Sequence, residues 1–139
     1  MDAKDFLQMG IDTRIRIRTN ELYAETLRAE IDHMKALCGD LPKFSTRERP
    51  IHEALQKACG ILNALDAENE GHHARLAEVQ KVVQVIDDPL CQEVLTRRFV
   101  QGEDWPHIAD EMFYSVRGIF KVASRAMEQI EVPEKYKAM

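Results

Sequence analysis

The sequence predicts an all-α protein, in which a long antiparallel, coiled-coil-like helical hairpin precedes a three-helix helix-turn-helix domain. Apolar residues recur at alternating spacings of three and four over residues 5–38 and again over residues 51–86. This period is typical of helices that pack along a seam. Turn-forming residues then divide residues 89–130 into short amphipathic segments. We therefore expect a hairpin over residues 1–88, a helix-turn-helix domain over residues 89–131 and a flexible tail over residues 132–139.

The first predicted helix covers residues 5–38. Its seam positions are Phe6, Gly10, Thr13, Ile17, Asn20, Ala24, Leu27, Ile31, Met34 and Cys38. Residues 13–19 alternate between polar and apolar types like a strand, but they lie in phase within a repeat of more than thirty residues that contains no proline. The longer period favours a helix throughout.

Residues 39–50 contain the highest density of turn-forming residues in the chain and therefore predict the hairpin connection. Gly39 is expected to end one helix and Pro50 to start the next. The second helix is predicted over residues 51–86, because the repeat keeps its phase through Gly60 and Gly71. Each of these glycines costs a helix about 1 kcal/mol relative to alanine.

An antiparallel hairpin pairs seam residues whose numbers add to about 89, reading outward from Cys38 and Ile51. Asn20 then faces Asn69, in a layer beyond the apolar ones. Two facing asparagines would fix the register at some loss of stability. The alternative is that both lie on a solvated stretch where the seam frays.

Apolar residues also lie off the seam, and we expect them to be buried against another surface. They are Leu7, Ile11, Ile15 and Leu22 on the first helix, with Ile61, Val82 and Val85 on the second. The C-terminal helices or a second copy of the chain could cover them. We expect a homo-oligomer, with a dimer favoured.

The C-terminal domain is predicted to contain helices over residues 89–101, 105–112 and 116–130. Asp88 and Pro89 form a cap and a first helical position, and Gly102 ends the first helix. Asp104 and Ser115 stand where the second and third helices need N-caps. Trp105 is interpreted as a core anchor rather than a base-stacking platform.

A basic stripe on the third helix carries the functional prediction. In a helix-turn-helix, the second helix of the motif enters the major groove, and flanking cations contact phosphate. Gly118 would let the backbone come close to DNA. The candidate DNA-contacting residues are Ser115, Arg117, Gly118, Lys121 and Arg125 on the third helix, with Arg97 and Arg98 on the first. The alternative is an ordinary solvated helix face with scattered cations.

The net charge of −5 limits the expected DNA affinity. The acidic excess lies mainly between residues 51 and 88, and no Lys/Arg run or basic tail exists. A single copy should bind DNA weakly, so an oligomer that joins several weak contacts would be needed.

Other classes of function find little support. The three cysteines are far apart and form no CxxC pair, which favours reduced thiols. His72 and His73 lie near Glu68 and Glu70, but without the spacing of a metal site. No nucleophile elbow, P-loop or dinucleotide fingerprint appears, so we expect no enzyme and no cofactor. No long apolar run or signal-peptide layout is present, which predicts a cytoplasmic protein without a membrane partner.

A resemblance rests on residues 95–100 (LTRRFV), Gly102, residues 105–112 (WPHIADEM), the pair Tyr114-Ser115 and the late pair Ala126-Met127. This pattern resembles the sigma-70 region-4-type helix-turn-helix of small phage-associated transcriptional regulators, including the ArpU and RinA types. Phe99 and Met127 stand where tyrosine and leucine are usual. The specific part covers residues 86–130. The resemblance implies double-stranded promoter or phage DNA as the target and RNA polymerase as a possible partner.

Three functions follow as hypotheses. The first is a phage or prophage transcriptional regulator that uses the hairpin to oligomerise. The second keeps the same DNA-recognition module in a packaging role, as in a small terminase subunit. The third is a helical interaction or scaffold protein without DNA affinity, which the acidic charge would suit.

Overall fold

The computed structural model describes residues 1–40 and 48–138, and for residues 39, 40 and 48 it describes the backbone alone. Its helices are α1 (Ala3–Asp40), α2 (Glu48–Gln84), α3 (Pro89–Leu95), α4 (Trp105–Glu111), α5 (Val116–Glu128) and α6 (Glu134–Lys137). A π-helical turn, Thr96–Val100, continues α3. No strand occurs within the described residues, and the two long helices pack against each other. The predicted all-α fold class is confirmed.

The helix limits follow local capping, with small departures from the predicted ranges. Asp2 caps α1, since its carboxylate accepts a hydrogen bond from the Asp5 backbone N–H at 2.8 Å. Residues 13–19 are helical, as the longer period predicts. Gly39 lies within α1 and Pro50 lies near the start of α2. The remainder of the predicted connection, residues 41–47, lies outside the described residues.

The chain divides into two compact units. The hairpin unit comprises residues 16–71, and the core unit comprises residues 1–15 with the chain from residue 72 onward. These compact units do not divide at residue 88, where the sequence predicts a domain boundary. The first turns of α1 and the last turns of α2 contribute buried residues to the same core as the short helices.

The hairpin unit is held by the predicted seam. Leu27, Ile31 and Ala58 are buried, and Leu62 and Leu65 pack against them. At the polar layer, the side-chain amide of Asn20 donates a hydrogen bond to the Asn69 side-chain oxygen at 2.9 Å. The Asn69 amide donates to the Ile17 carbonyl at 3.4 Å. The predicted asparagine pair and its register are confirmed.

The core unit is built from both long helices and all the short ones. Its fully buried side chains include Phe6, Leu7, Val79, Val83, Cys91, Val94, Leu95, Ile108 and Ile119. Leu7, which the sequence placed on an uncovered stripe, is thus covered within this unit. Ile15 and Val85 remain 57% and 79% exposed. None of the helices in the described part of the chain is long and apolar enough to cross a membrane.

Part of the segment 132–139, which the sequence predicts to be a flexible tail, is folded. Val132 and Tyr136 are buried, and residues 134–137 form α6. The Tyr136 ring lies 5.4 Å from the Phe6 ring, measured between centroids. The Tyr136 hydroxyl and the Lys135 ammonium both donate hydrogen bonds to the Glu78 carboxylate. This clamp ties the C-terminal segment to the core unit.

A close backbone approach shapes the same core. Gly10 on α1 is buried, and a Cβ atom placed there would lie 2.7 Å from the Phe99 carbonyl oxygen and 3.2 Å from a Val79 methyl carbon. Real Cβ atoms essentially never come within 3.0 Å of a non-bonded heavy atom from another part of the chain. The absence of a side chain at Gly10 therefore allows α1 to reach the backbone of the π-helical turn.

Candidate nucleic-acid interface

The turn between α4 and α5 is built by two backbone hydrogen bonds. The Phe113 N–H donates to the Asp110 carbonyl at 3.3 Å, and the Tyr114 N–H donates to the Ala109 carbonyl at 2.9 Å. These bonds form the Schellman pattern, which places the residue after the helix cap in the left-handed region. Phe113 occupies that position with φ 60°. The chain thus reverses within a few residues, as a helix-turn-helix requires.

Ser115 caps α5 as predicted. Its hydroxyl oxygen accepts a hydrogen bond from the Gly118 N–H at 3.0 Å. A Cβ atom at Gly118 would lie 3.1 Å from this oxygen and 3.4 Å from the Tyr114 ring. Gly118 therefore already has a local role in the cap, apart from the close DNA approach that the sequence suggested.

One face of α5 is buried against α3 and α4. Ile119, Val122, Ala123 and Ala126 form this face. Arg117, Lys121 and Arg125 are exposed, so the predicted basic stripe faces solvent. The structure brings these cations to one shallow depression of about 390 Å³, which Phe120, Ser124 and Glu128 complete.

The three cations differ in their partners. Arg117 and Lys121 form no ion pair with a residue that the structure describes. Arg125 lies 3.8 Å from the Asp88 carboxylate. That carboxylate caps α3 by accepting a hydrogen bond from the Leu90 N–H, which is the largest cause of its lowered pKa. Arg117 and Lys121 are consequently the cations most available to an anionic ligand.

Arg97 and Arg98, which the sequence assigned to phosphate contacts, have internal partners. Arg97 pairs with the Glu93 carboxylate at 3.3 Å and with the Glu103 carboxylate at 3.2 Å. Arg98 donates a hydrogen bond to the Glu103 carbonyl at 3.0 Å, and its guanidinium lies 5.2 Å from the Trp105 ring centroid. Both arginines hold the loop between the π-helical turn and α4. A phosphate contact would have to replace these partners.

The loop that these arginines hold depends on Gly102. This residue has φ +76°, where a residue with a Cβ atom is strained. A Cβ atom there would also lie 2.9 Å from the Arg14 side chain. Asp104 has the extended backbone of an N-cap before α4, but its side chain makes no capping hydrogen bond.

Trp105 packs as a core anchor, in agreement with its interpretation from the sequence. Its ring makes edge contacts with Phe99 at 6.1 Å and with Phe120 at 5.2 Å, measured between centroids. His107, two residues further along α4, is exposed, and one of its ring nitrogens lies 3.2 Å from the Glu103 carboxylate. Among the described residues, no group of three or more His, Cys, Asp or Glu side chains could hold a metal ion.

Sequence reasoning missed the most exposed aromatic residue of this region. Phe113 is 96% exposed, and the sequence shows only that it lies in a turn. The left-handed backbone could not be foreseen, because glycine or asparagine normally fills that position. Tyr114, Val116 and Phe120 are also exposed, between 37% and 46%.

The chain was compared with protein-family models, with curated proteins and with solved structures, and none of them matches it.

Proposed function

We propose that this protein binds double-stranded DNA through α4 and α5 and acts as a phage-type transcriptional regulator. The observation that carries the proposal is the exposed basic face of a Ser115-capped α5, which follows a tight turn after α4. In this proposal α5 acts as the recognition helix, and its N-terminal residues would contact base edges in the major groove.

Two features of the face support DNA over a purely structural role. Arg117 and Lys121 lie in the first two turns of α5 and form no ion pair with described residues, so their charges are available to phosphate or base acceptors. Ordinary surface cations on this chain often have carboxylate neighbours, as Arg49 has Glu53 at 3.2 Å. The regulatory role itself rests on the resemblance to sigma-70 region-4-type regulators, which also brings RNA polymerase into the proposal as a partner.

A homodimer completes the proposal. Two available cations, Arg117 and Lys121, on a chain of net charge −5 give weak binding per copy. Two copies would double the contacts and raise the affinity through a high effective concentration. The exposed apolar residues Ile15 and Leu22, each 57% exposed, are candidate interface positions.

The test is a titration of a labelled pool of random duplexes, about three helical turns long, followed by fluorescence anisotropy. We expect binding at about 50 mM salt that weakens steeply with added salt. The variant Arg117→Ala/Lys121→Ala should reduce the slope of log affinity against log salt by up to about 2 if both residues contact phosphate. Arg125 is left unchanged, because its removal would also deprive Asp88 of a partner.

The matched control is Arg16→Ala/Arg18→Ala, which changes the net charge equally at exposed positions of the hairpin unit. Long-range attraction would weaken equally in both double variants. The loss of a specific contact should weaken binding further in the α5 variant alone. The proposal fails if no duplex binds at low salt, or if the two double variants bind alike.

A further inference from the structure

Phe113 combines two unfavourable features. Its backbone lies in the left-handed region, with φ 60°, which is strained for a residue that carries a Cβ atom. Its ring is 96% exposed, so it contributes almost nothing to the core. Glycine would form the same turn without strain and without exposed apolar surface. Strained residues of this kind cluster at functional sites.

The surroundings of Phe113 indicate what the ring would meet. It lies two residues before the Ser115 cap, in the turn that leads into the basic face of α5. Phe120, 46% exposed, already lies beside Arg117 and Lys121 in the shallow depression. An apolar protein partner would desolvate these cations without pairing them, which is unfavourable. A nucleic acid offers both flat apolar groups and anions, so it complements aromatic rings interleaved with available cations.

The acidic groups nearby set the direction of approach. Asp110 and Glu111 are exposed at the end of α4, and Glu111 has His107 at 3.9 Å. Phosphates would be repelled on that side and attracted on the α5 side. The turn between α4 and α5 would then face the major groove of the DNA and not its sugar-phosphate backbone. Phe113 would lie at the edge of that groove.

Resting on the proposed DNA binding, we infer that Phe113 contacts bases by packing against the 5-methyl group of thymine in the major groove. The thymine methyl is the apolar group that base pairs present there, and phenylalanine is one of the side chains that read it. The preferred ligand is therefore duplex DNA with thymine next to the bases that Arg117 reaches.

The probes for the test are an alternating dA·dT duplex and the corresponding dA·dU duplex, which lacks only the methyl groups. The unmodified protein should bind the thymine duplex about fourfold more tightly for each methyl group that is covered. The variant Phe113→Gly should bind both duplexes equally. Its thermal midpoint should not fall, because glycine adopts φ 60° without strain. Val85→Ala, which trims another exposed apolar residue of the core unit, should keep the preference for thymine.

Several results would overturn the inference while leaving the proposed DNA binding intact. They are equal binding of the two duplexes by the unmodified protein, a thymine preference that survives in Phe113→Gly, and an equal loss of affinity for both duplexes in that variant. A lower thermal midpoint or a smaller mass in solution for Phe113→Gly would show that the ring packs on protein, which also overturns it. If the unmodified protein binds neither duplex at low salt, the proposed function itself fails.

Discussion

Three glycines within the long helices provide a direct test of how the core unit is packed. Gly10 would place a Cβ atom 2.7 Å from the Phe99 carbonyl oxygen, whereas Gly60 and Gly71 have no neighbouring atom within 4 Å of that position. All three are helical, so alanine should improve the intrinsic helix propensity equally at each. Only the contact at Gly10 distinguishes them.

The magnitudes follow from two opposing terms. Replacing a glycine inside a helix by alanine stabilises it by roughly 0.5–1 kcal/mol. Gly60→Ala and Gly71→Ala should therefore each raise the free energy of unfolding by about that amount. At Gly10 the added methyl meets a backbone oxygen that cannot rotate away, and overpacking of this kind costs about 1–3 kcal/mol. We expect Gly10→Ala to be less stable than Gly60→Ala by about 1–3 kcal/mol.

The measurement is urea denaturation followed by two probes. The single tryptophan, Trp105, lies in the core unit, so its fluorescence reports on that unit. Far-ultraviolet circular dichroism reports on helix throughout the chain. Gly10→Ala should lower the tryptophan midpoint, and the two control variants should leave it unchanged or raise it. For a chain of this size, 1 kcal/mol corresponds to a shift of about 3–5 °C in the thermal midpoint.

A rise in stability for Gly10→Ala equal to that of Gly60→Ala would contradict the steric clash at Gly10. It would mean that α1 does not approach the π-helical turn as closely as the structure shows, and the assignment of residues 1–15 to the core unit would lose its main steric support.

Three further predictions concern the polar contacts. In the C-terminal clamp, partial burial opposes ionisation of Glu78, but hydrogen bonds from Lys135 and Tyr136 outweigh it and lower its pKa below 4.5. This stabilisation is complete above pH 4.5 and is lost as the pH falls through the folded-state pKa. The difference in unfolding free energy between the unmodified chain and Glu78→Gln should therefore shrink on acidification. A difference that is constant with pH would contradict the clamp. In the hairpin unit, Asn20→Ala should lower the free energy of unfolding by about 1 kcal/mol, because it leaves the Asn69 oxygen without its donor. The double variant Asn20→Leu/Asn69→Leu should be at least as stable as the unmodified chain in thermal denaturation. Equal losses of stability in the two variants would argue against the asparagine pair. Ser115→Ala should lower the free energy of unfolding by about 1 kcal/mol, because α5 loses its N-cap. Chemical denaturation would measure this loss. An unchanged free energy of unfolding would show that water replaces the cap.

Much of the fold could be predicted because its causes are local. The Ser115 cap involves atoms three residues apart, and so does the Asp2 cap of α1. The seam follows from apolar spacing alone, and the spacing also fixed the register that brings Asn20 to Asn69. The exposed face of α5 is likewise the complement of its apolar positions, so the placement of Arg117 and Lys121 on the surface follows from periodicity.

The structure differs from the sequence-based expectations where the cause is distant in sequence. The boundary at residue 88 and the flexible tail were predicted from turn residues and from the end of a repeat. Whether Phe6, Val83 and Tyr136 share a core depends on segments more than fifty residues apart, which periodicity does not report. Arg97 could be recognised as basic, but its carboxylate partners depend on the path of the loop that follows.

Local sequence patterns were enough to predict the helical class, the hairpin seam and the basic face of α5, since caps, turns and apolar periods act over one or two turns of helix. The position of the core, the close backbone approach at Gly10 and the exposed left-handed conformation of Phe113 became visible only in the folded chain. These features depend on which distant surfaces meet and on the backbone angle that the meeting imposes, and neither is encoded in a local pattern.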